Sequence, residues 1–201
     1  MATETTIPAN VARWTPYRLN VRQFLAMIDA DIFPQGAQVE LLGGMLVQMM
    51  TKGNPHDFAS GALGDELRRL IPADWYLRED KSLRLGPRSR PEPDIAIVRG
   101  PRLQHTRRTP HARETALVVE VSQTSHAYDR GEKWRAYAAA RIPTYWIVHL
   151  AKGQVEVYRE PAGLGKSAAY KSTEVFGIDA SIPVVIDGNE VGRVAVRDFL
   201  P

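Results

Sequence analysis

The stretch of this sequence that decides the fold is Leu117-Val118-Val119-Glu120-Val121-Ser122. It has the composition of a buried β-strand, yet it carries a glutamate where a hydrophobic residue would be easier to bury. Upstream, a second apolar strand carries an aspartate in the same way, within Pro91-Glu92-Pro93-Asp94-Ile95-Ala96-Ile97-Val98. A buried carboxylate is costly unless it is paired or bound to a cation. Two such strands in one small domain therefore indicate a divalent-metal site.

The two acids have predictable positions on their strands. Because side chains alternate across a strand, Glu120 shares a face with Val118, and Asp94 shares a face with Ala96. If the strands are neighbours, both carboxylates converge at one end of the sheet, where a hard divalent cation would accept their oxygens. Two alternatives stay open: Asp94 as a turn acid that opens its strand, and Glu120 in a buried salt bridge.

A lysine follows these acids at a helical spacing. Asp129 is predicted to cap a helix, with Glu132 at the capping-box position, and Lys133 lies one turn after Asp129. The structural interpretation is an ion pair between Lys133 and Asp129 within the helix. The functional interpretation directs the ammonium of Lys133 into the acidic cluster, where it could orient an attacking water or stabilise charge on a phosphate.

Two further polar residues are candidates for the same site. Glu40 lies in an apolar strand just before the Gly43-Gly44 turn, where it is either a third acidic metal ligand or an edge-strand charge that prevents misassociation. His56 falls in the first turn of a predicted helix, where it either caps the helix or lies near the metal.

The hydrophobic pattern predicts one mixed α/β domain over residues 15–201, after a flexible N-terminus at 1–14. The predicted elements, in chain order, are a helix capped by Asn20, a hairpin over 39–49, a helix over 54–70, strands at 75–78, 82–85, 94–98 and 115–122, a helix from Asp129 to Pro143, strands at 144–149 and 155–159, a loop over 161–170 and a terminal hairpin over 184–196.

Composition narrows the class of protein. The chain has no cysteine, which excludes a disulfide framework and a cysteine-ligated zinc. No apolar run approaches the roughly 20 residues of a membrane span, so no membrane partner is expected. The N-terminus lacks the basic region and apolar core of a secretory signal, which favours a cytoplasmic protein. Arginines crowd the segment 84–113 and either contact DNA phosphates or belong to a solvated loop.

Several motifs, taken together in order and spacing, resemble one family from about residue 20 to the C-terminus. They are Glu-Leu-Leu-Gly-Gly (40–44), Pro-Glu-Pro-Asp-Ile-Ala-Ile-Val (91–98), Val-Val-Glu-Val-Ser (118–122), Tyr-Asp-Arg-Gly-Glu-Lys (128–133) and Ile-Pro-Thr-Tyr-Trp-Ile-Val (142–148). The chain is similar to the Uma-type restriction endonucleases, within the PD-(D/E)XK nuclease superfamily.

The resemblance implies a restriction-endonuclease-like core, in which helices flank a central mixed β-sheet, here with an extra N-terminal hairpin and extra C-terminal strands. It implies metal-dependent hydrolysis of phosphodiester bonds in DNA, with Mg²⁺ or Mn²⁺ as cofactor. By position, Asp94 and Glu120 match the motif acids and Glu40 matches the acidic residue of the family's hairpin. Ser122 stands where the superfamily usually has lysine, and Lys133 resembles its migrated substitute.

The alternative is a catalytically inactive member of the fold that acts as a nucleic-acid-binding or self-associating module. In that protein the acids would only hold a salt-bridge network with Lys133 and Arg130. A homodimer would suit a nuclease that cuts both strands, with Tyr145–Val148 and Val155–Tyr158 as the candidate edge.

Overall fold

The computed structural model describes residues 15–200, so the predicted flexible N-terminus at 1–14 lies outside the described residues. The elements, in chain order, are α1 (Val21–Asp29), β1 (Val39–Leu42), β2 (Met45–Gln48), α2 (Asn54–Leu70), β3 (Trp75–Glu79), β4 (Ile95–Arg99), β5 (Thr115–Ser122), α3 (His126–Tyr128), a π-helical turn (Asp129–Lys133), α4 (Trp134–Ala139), β6 (Thr144–His149), β7 (Gln154–Ala162), β8 (Ala169–Gly177), β9 (Ser181–Ile186) and β10 (Asn189–Ala195).

A mixed six-stranded sheet organises the molecule, with strand order β3-β4-β5-β6-β7-β8. Only β5 and β6 run parallel, and every other neighbouring pair is antiparallel. Two separate hairpins, β1–β2 and β9–β10, lie outside this sheet. The predicted fold class is confirmed, including the N-terminal hairpin and the extra C-terminal strands. None of the helices within residues 15–200 is both long and apolar enough to cross a membrane.

The two faces of the sheet pack against different partners, as the alternation of β5 predicts. Leu117 and Val119 belong to a core shared with α2 and the β9–β10 hairpin. Val118 and Ala96 belong to the opposite core, which α4 closes with Tyr137. Since Glu120 has the same parity as Val118, its carboxylate lies on the α4 side. The sequence pattern alone therefore placed Glu120 on the correct face.

The N-terminal elements form where local chemistry predicts them. The side chain of Asn20 accepts a hydrogen bond from Gln23 N at 2.9 Å, and the Gln23 side chain accepts one from Asn20 N, which completes a capping box for α1. Gly43 and Gly44 have φ values of 57° and 82°, as a tight primed hairpin turn requires. Helix α2 has the predicted bounds, with Pro55 in its first turn.

One predicted strand is absent from the structure, and one observed strand was not predicted. Residues 82–85 form no strand and make only an isolated bridge between Arg84 and His111. Prolines in the neighbouring run 87–93 lack the N–H groups that a ladder requires, which explains the difference. Strand β8 (Ala169–Gly177) was not predicted, because its sequence is polar and it pairs only with β7 at the edge of the sheet.

The predicted dimerisation edge was also wrong. Strands β6 and β7, which contain Tyr145–Val148 and Val155–Tyr158, are each hydrogen-bonded on both sides. Neither has free backbone groups to offer another chain. A homodimer itself stays a prediction.

Candidate active site

Asp94 and Glu120 meet at one end of the sheet. Strands β4 and β5 are antiparallel, with Ile95 opposite Val119, so Asp94 comes directly across from Glu120. Both line one cleft of about 230 Å³. The residues that line this cleft are Met49, Met50, Thr51, Lys52, Gly53, His56, Asp94, Glu120, Val121, Gln123, Thr124, Ser125, Asp129 and Lys133.

The carboxylate of Asp94 is held on both oxygens. Its Oδ2 accepts a hydrogen bond from Val121 N at 2.6 Å. Its Oδ1 lies 2.6 Å from Lys52 Nζ and 3.2 Å from His56 Nε2. Burial would raise the pKa of Asp94, but His56 and Lys52 outweigh that effect and lower the pKa to about 2. Asp94 is therefore held as a carboxylate anion inside the cleft, and it is not merely a turn residue.

Lys133 lies between two buried glutamates, an arrangement called here the inner triad (Glu40, Lys133 and Glu120). The Nζ atom is 3.0 Å from Glu120 Oε2 and 3.7 Å from Glu40 Oε2, and the Lys133 side chain has no exposed surface. Burial would lower the pKa of Lys133, but the charges of Glu120 and Glu40 raise it above its ordinary value. Burial raises the pKa of Glu120, and Lys133 offsets part of that shift.

Neighbouring hydroxyl and amide groups orient the two glutamates of the inner triad. Tyr137 OH donates to Glu120 Oε1 at 2.6 Å. Tyr128 OH donates to Glu40 Oε1 at 3.0 Å, and Glu92 N donates to Glu40 Oε2 at 3.1 Å. Glu40 is completely buried, so the edge-strand interpretation is wrong. Glu40 is also absent from the residues that line the cleft, so the structure brings it to Lys133 and not to Asp94.

The predicted cap role of Asp129 was wrong, although Asp129 does belong to the site. The helix begins earlier, at His126, and Asp129 opens a π-helical turn. Asp129 Oδ2 accepts hydrogen bonds from Ser122 Oγ at 2.6 Å and Ser125 Oγ at 2.5 Å. Its side chain therefore ties the turn to the end of β5. A π-turn inserts an extra residue into a helix and frequently occurs at functional sites.

The π-turn also decides which acids Lys133 meets. The structural interpretation placed Lys133 in an ion pair with Asp129, but among the described residues Lys133 forms salt bridges with Glu40 and Glu120 and not with Asp129. The structure thus brings together Asp94, Glu120 and Lys133, as the functional interpretation of the lysine requires.

Sequence reasoning missed Lys52. Its ammonium pairs with Asp94 in the cleft and with the exposed Asp80, an arrangement called here the outer triad (Asp80, Lys52 and Asp94). Burial would lower the pKa of Lys52, but the charge of Asp94 and the hydrogen bonds that Lys52 donates to both acids raise it. The available signal was its position just before Gly53, the N-cap of α2, and close to His56. That position does not reveal the direction of a long side chain.

The donor set fits a hydrated, hard cation. Within residues 15–200, no three histidine, aspartate or glutamate side chains are grouped closely enough to hold a metal ion. Asp94 and Glu120 nevertheless offer carboxylate oxygens to the same cleft. Mg²⁺ binds through one or two carboxylates and keeps several waters, which suits this pair.

Some arginines of the segment 84–113 make internal contacts. Arg99 pairs with Asp74 at 3.3 Å and with Asp187, and its guanidinium stacks over Trp75. Arg108 forms a bidentate ion pair with Glu114. These contacts anchor the loops around β4, and contact between the segment and DNA phosphates stays a prediction.

Comparison with known proteins agrees with this architecture. The family model named Uma2, with the description "Putative restriction endonuclease", matches residues 21–188, a range that contains every motif quoted above. No protein with a curated description matches the chain. A solved structure of a "putative nuclease belonging to DUF820" from Anabaena variabilis ATCC 29413 has 15% identity and a TM-score of 0.65, covering 90% of this chain and 97% of that chain. At this identity the similarity shows the fold alone.

Proposed function

Because the chain belongs to the Uma2 restriction endonuclease family, we propose that it is a divalent-metal-dependent endonuclease that hydrolyses phosphodiester bonds in DNA. One observation carries the proposal: the buried ammonium of Lys133 lies 3.0 Å from Glu120, on the floor of the cleft that Asp94 also lines. In metal-dependent phosphodiester hydrolysis, a fixed positive charge beside the metal-binding carboxylates stabilises the negative charge that develops on the phosphate.

Asp94 and Glu120 are the residues that would hold Mg²⁺ or Mn²⁺. When bound, the ion would activate a water and stabilise negative charge on the phosphate. Glu40, which was predicted to be a third ligand, is assigned a different task in this proposal. Its oxygens face Lys133, Tyr128 and the backbone of Glu92, so it positions the lysine.

The chain's own groups hold the reacting geometry in place. Val121 N–H and His56 fix the orientation of the Asp94 carboxylate. Tyr137 fixes Glu120, whose other oxygen faces Lys133. The ammonium of Lys133 then orients the attacking water or stabilises charge on the phosphate. Such groups stabilise a transition state effectively because they need not reorganise during the reaction.

A plasmid cleavage assay with Mg²⁺ or Mn²⁺ tests the proposal. Glu120→Gln preserves the shape of the side chain but removes its charge, and we expect a cleavage rate at least about 100-fold lower. Glu190→Gln makes the same chemical change at an exposed residue of β10 that does not line the cleft, and it should cleave like the wild type. The proposed nuclease function is refuted if the wild type cuts DNA no faster than Glu120→Gln, whichever metal and DNA substrate are used. That result would favour the inactive module, in which the inner triad is only a salt-bridge network.

A further inference from the structure

The outer triad places a lysine where a metal ion would approach Asp94. The inference drawn from this contact rests on the proposed metal-dependent function. Lys52 Nζ lies 2.6 Å from Asp94 Oδ1, and His56 Nε2 lies 3.2 Å from the same oxygen. The other oxygen, Oδ2, already accepts the hydrogen bond from Val121 N. Oδ1 is the oxygen that faces the basic side chains of the cleft, and Lys52 already pairs with it.

We propose that Lys52 and the divalent metal compete for Asp94 Oδ1, so that metal binding displaces the lysine toward Asp80. A metal–ligand bond of about 2.0–2.1 Å needs a lone pair of Oδ1. A carboxylate oxygen has two lone pairs, and both Lys52 and His56 now lie against Oδ1. Two cations at one oxygen also repel each other, an effect that increases as the site is desolvated. Lys52 is thus an internal counter-ion that keeps Asp94 neutralised until a metal arrives.

Asp80 can remain paired with Lys52 after the lysine is displaced from Asp94. The Asp80 side chain is 60% exposed, whereas the Asp94 side chain is only 6% exposed. Lys52 itself is 26% exposed and lies in a segment, residues 50–52, that belongs to no helix or strand. An exposed ion pair costs little to rearrange. Lys133, which is fully buried, has no comparable second position.

Calorimetric titration of the full chain with Mn²⁺ alone tests the competition without an activity assay. Lys52→Met removes the competing ammonium while keeping a flexible apolar stem, and we expect Mn²⁺ to bind about tenfold more tightly than to the wild type. Lys81→Met is the matched control, because it removes the same charge from an exposed neighbouring lysine. It should bind Mn²⁺ as the wild type does.

Asp80→Asn completes a double-mutant cycle. Alone, it removes the site that receives the displaced lysine, so Mn²⁺ should bind about threefold more weakly than to the wild type. Combined with Lys52→Met, the same substitution should have no effect, because Asp80 would act only through Lys52. Equal effects of Asp80→Asn in both backgrounds would overturn the proposed exchange. Thermal unfolding of each variant, with and without Mn²⁺, checks that each one folds and gives a second measure of binding.

The outcomes separate this inference from the proposed function. If the wild type binds Mn²⁺ and Lys52→Met binds it no more tightly, the competition is refuted while metal-dependent cleavage stands. If neither protein binds Mn²⁺, the metal dependence is refuted and the competition falls with it.

Discussion

The cleft contains two ammonium groups, each between two carboxylates, but the inner and outer triads differ in their access to water. In the inner triad the side chains of Lys133 and Glu40 have no exposed surface, and Glu120 is only 4% exposed. In the outer triad, exposure rises from Asp94 through Lys52 to Asp80. Breaking a buried ion pair leaves an uncompensated charge, whereas an exposed pair contributes little to stability. We therefore expect the ion pairs of the inner triad to persist and those of the outer triad to exchange partners.

The elements that carry each triad account for this difference. The inner triad joins β1, β5 and the π-helical turn, so three regular elements fix its atoms. The outer triad joins three residues outside helices and strands: Lys52 before α2, Asp80 after β3 and Asp94 just before β4. Rigid elements hold catalytic groups in a reactive geometry, and loops permit movement. Each substitution below tests one part of this contrast.

The largest effect should follow Lys133→Met. The substitution leaves Glu40 and Glu120 buried without a counter-charge, so the free energy of unfolding should fall by about 3–5 kcal/mol. Cleavage should fall at least about 100-fold under conditions where the variant remains folded. Urea denaturation at pH 7 measures the first effect. Lys152→Met, at an exposed turn after β6, serves as the control and should unfold like the wild type. A loss below about 1 kcal/mol would contradict a permanent inner triad.

A smaller effect, which should disappear in acid, should follow Asp94→Asn. The pKa of Asp94 is lowered to about 2 in the folded protein. An acid with a depressed pKa stabilises the fold above its unfolded pKa of about 3.9, and that contribution of about 2 kcal/mol disappears as the pH falls toward the folded value. Between about pH 4 and pH 2 the variant should therefore lose less stability than the wild type. Urea denaturation at several pH values measures how the free energy of unfolding of each protein depends on pH. The same pH dependence in the wild type and the variant would refute the depressed pKa of Asp94.

The smallest effect should follow Tyr137→Phe, which deletes the hydroxyl that donates to Glu120 while Lys133 remains. The free energy of unfolding should fall by about 1–2 kcal/mol, with a measurable loss of cleavage rate. Tyr170→Phe is the matched control, since it deletes a buried hydroxyl whose acceptor is the carbonyl of Ile142. It should reduce stability and leave cleavage unchanged. Equal cleavage losses in both variants would mean that Tyr137 supports the fold and not the site.

Four features show which parts of the fold and site could be predicted from the sequence. Periodicity gave α2 its observed bounds, and alternation gave Glu120 its face, because both depend on spacing along the chain. Strand β8 was missed because the hydrogen bonds that define it come from β7. The helix start at Asp129 was misplaced because hydroxyls of Ser122 and Ser125 engage that side chain.

The sequence by itself determined that two acids lie in apolar strands and that Lys133 follows them on a helix, whereas the pairing of those two strands came from the structure. Those features depend on local periods and on the cost of burying charge. Only the tertiary structure decided that Lys133 meets Glu40 and not Asp129, and that Lys52 reaches Asp94 from a loop. Long, flexible side chains find their partners through the packing of distant segments, and no spacing along the chain encodes those distances.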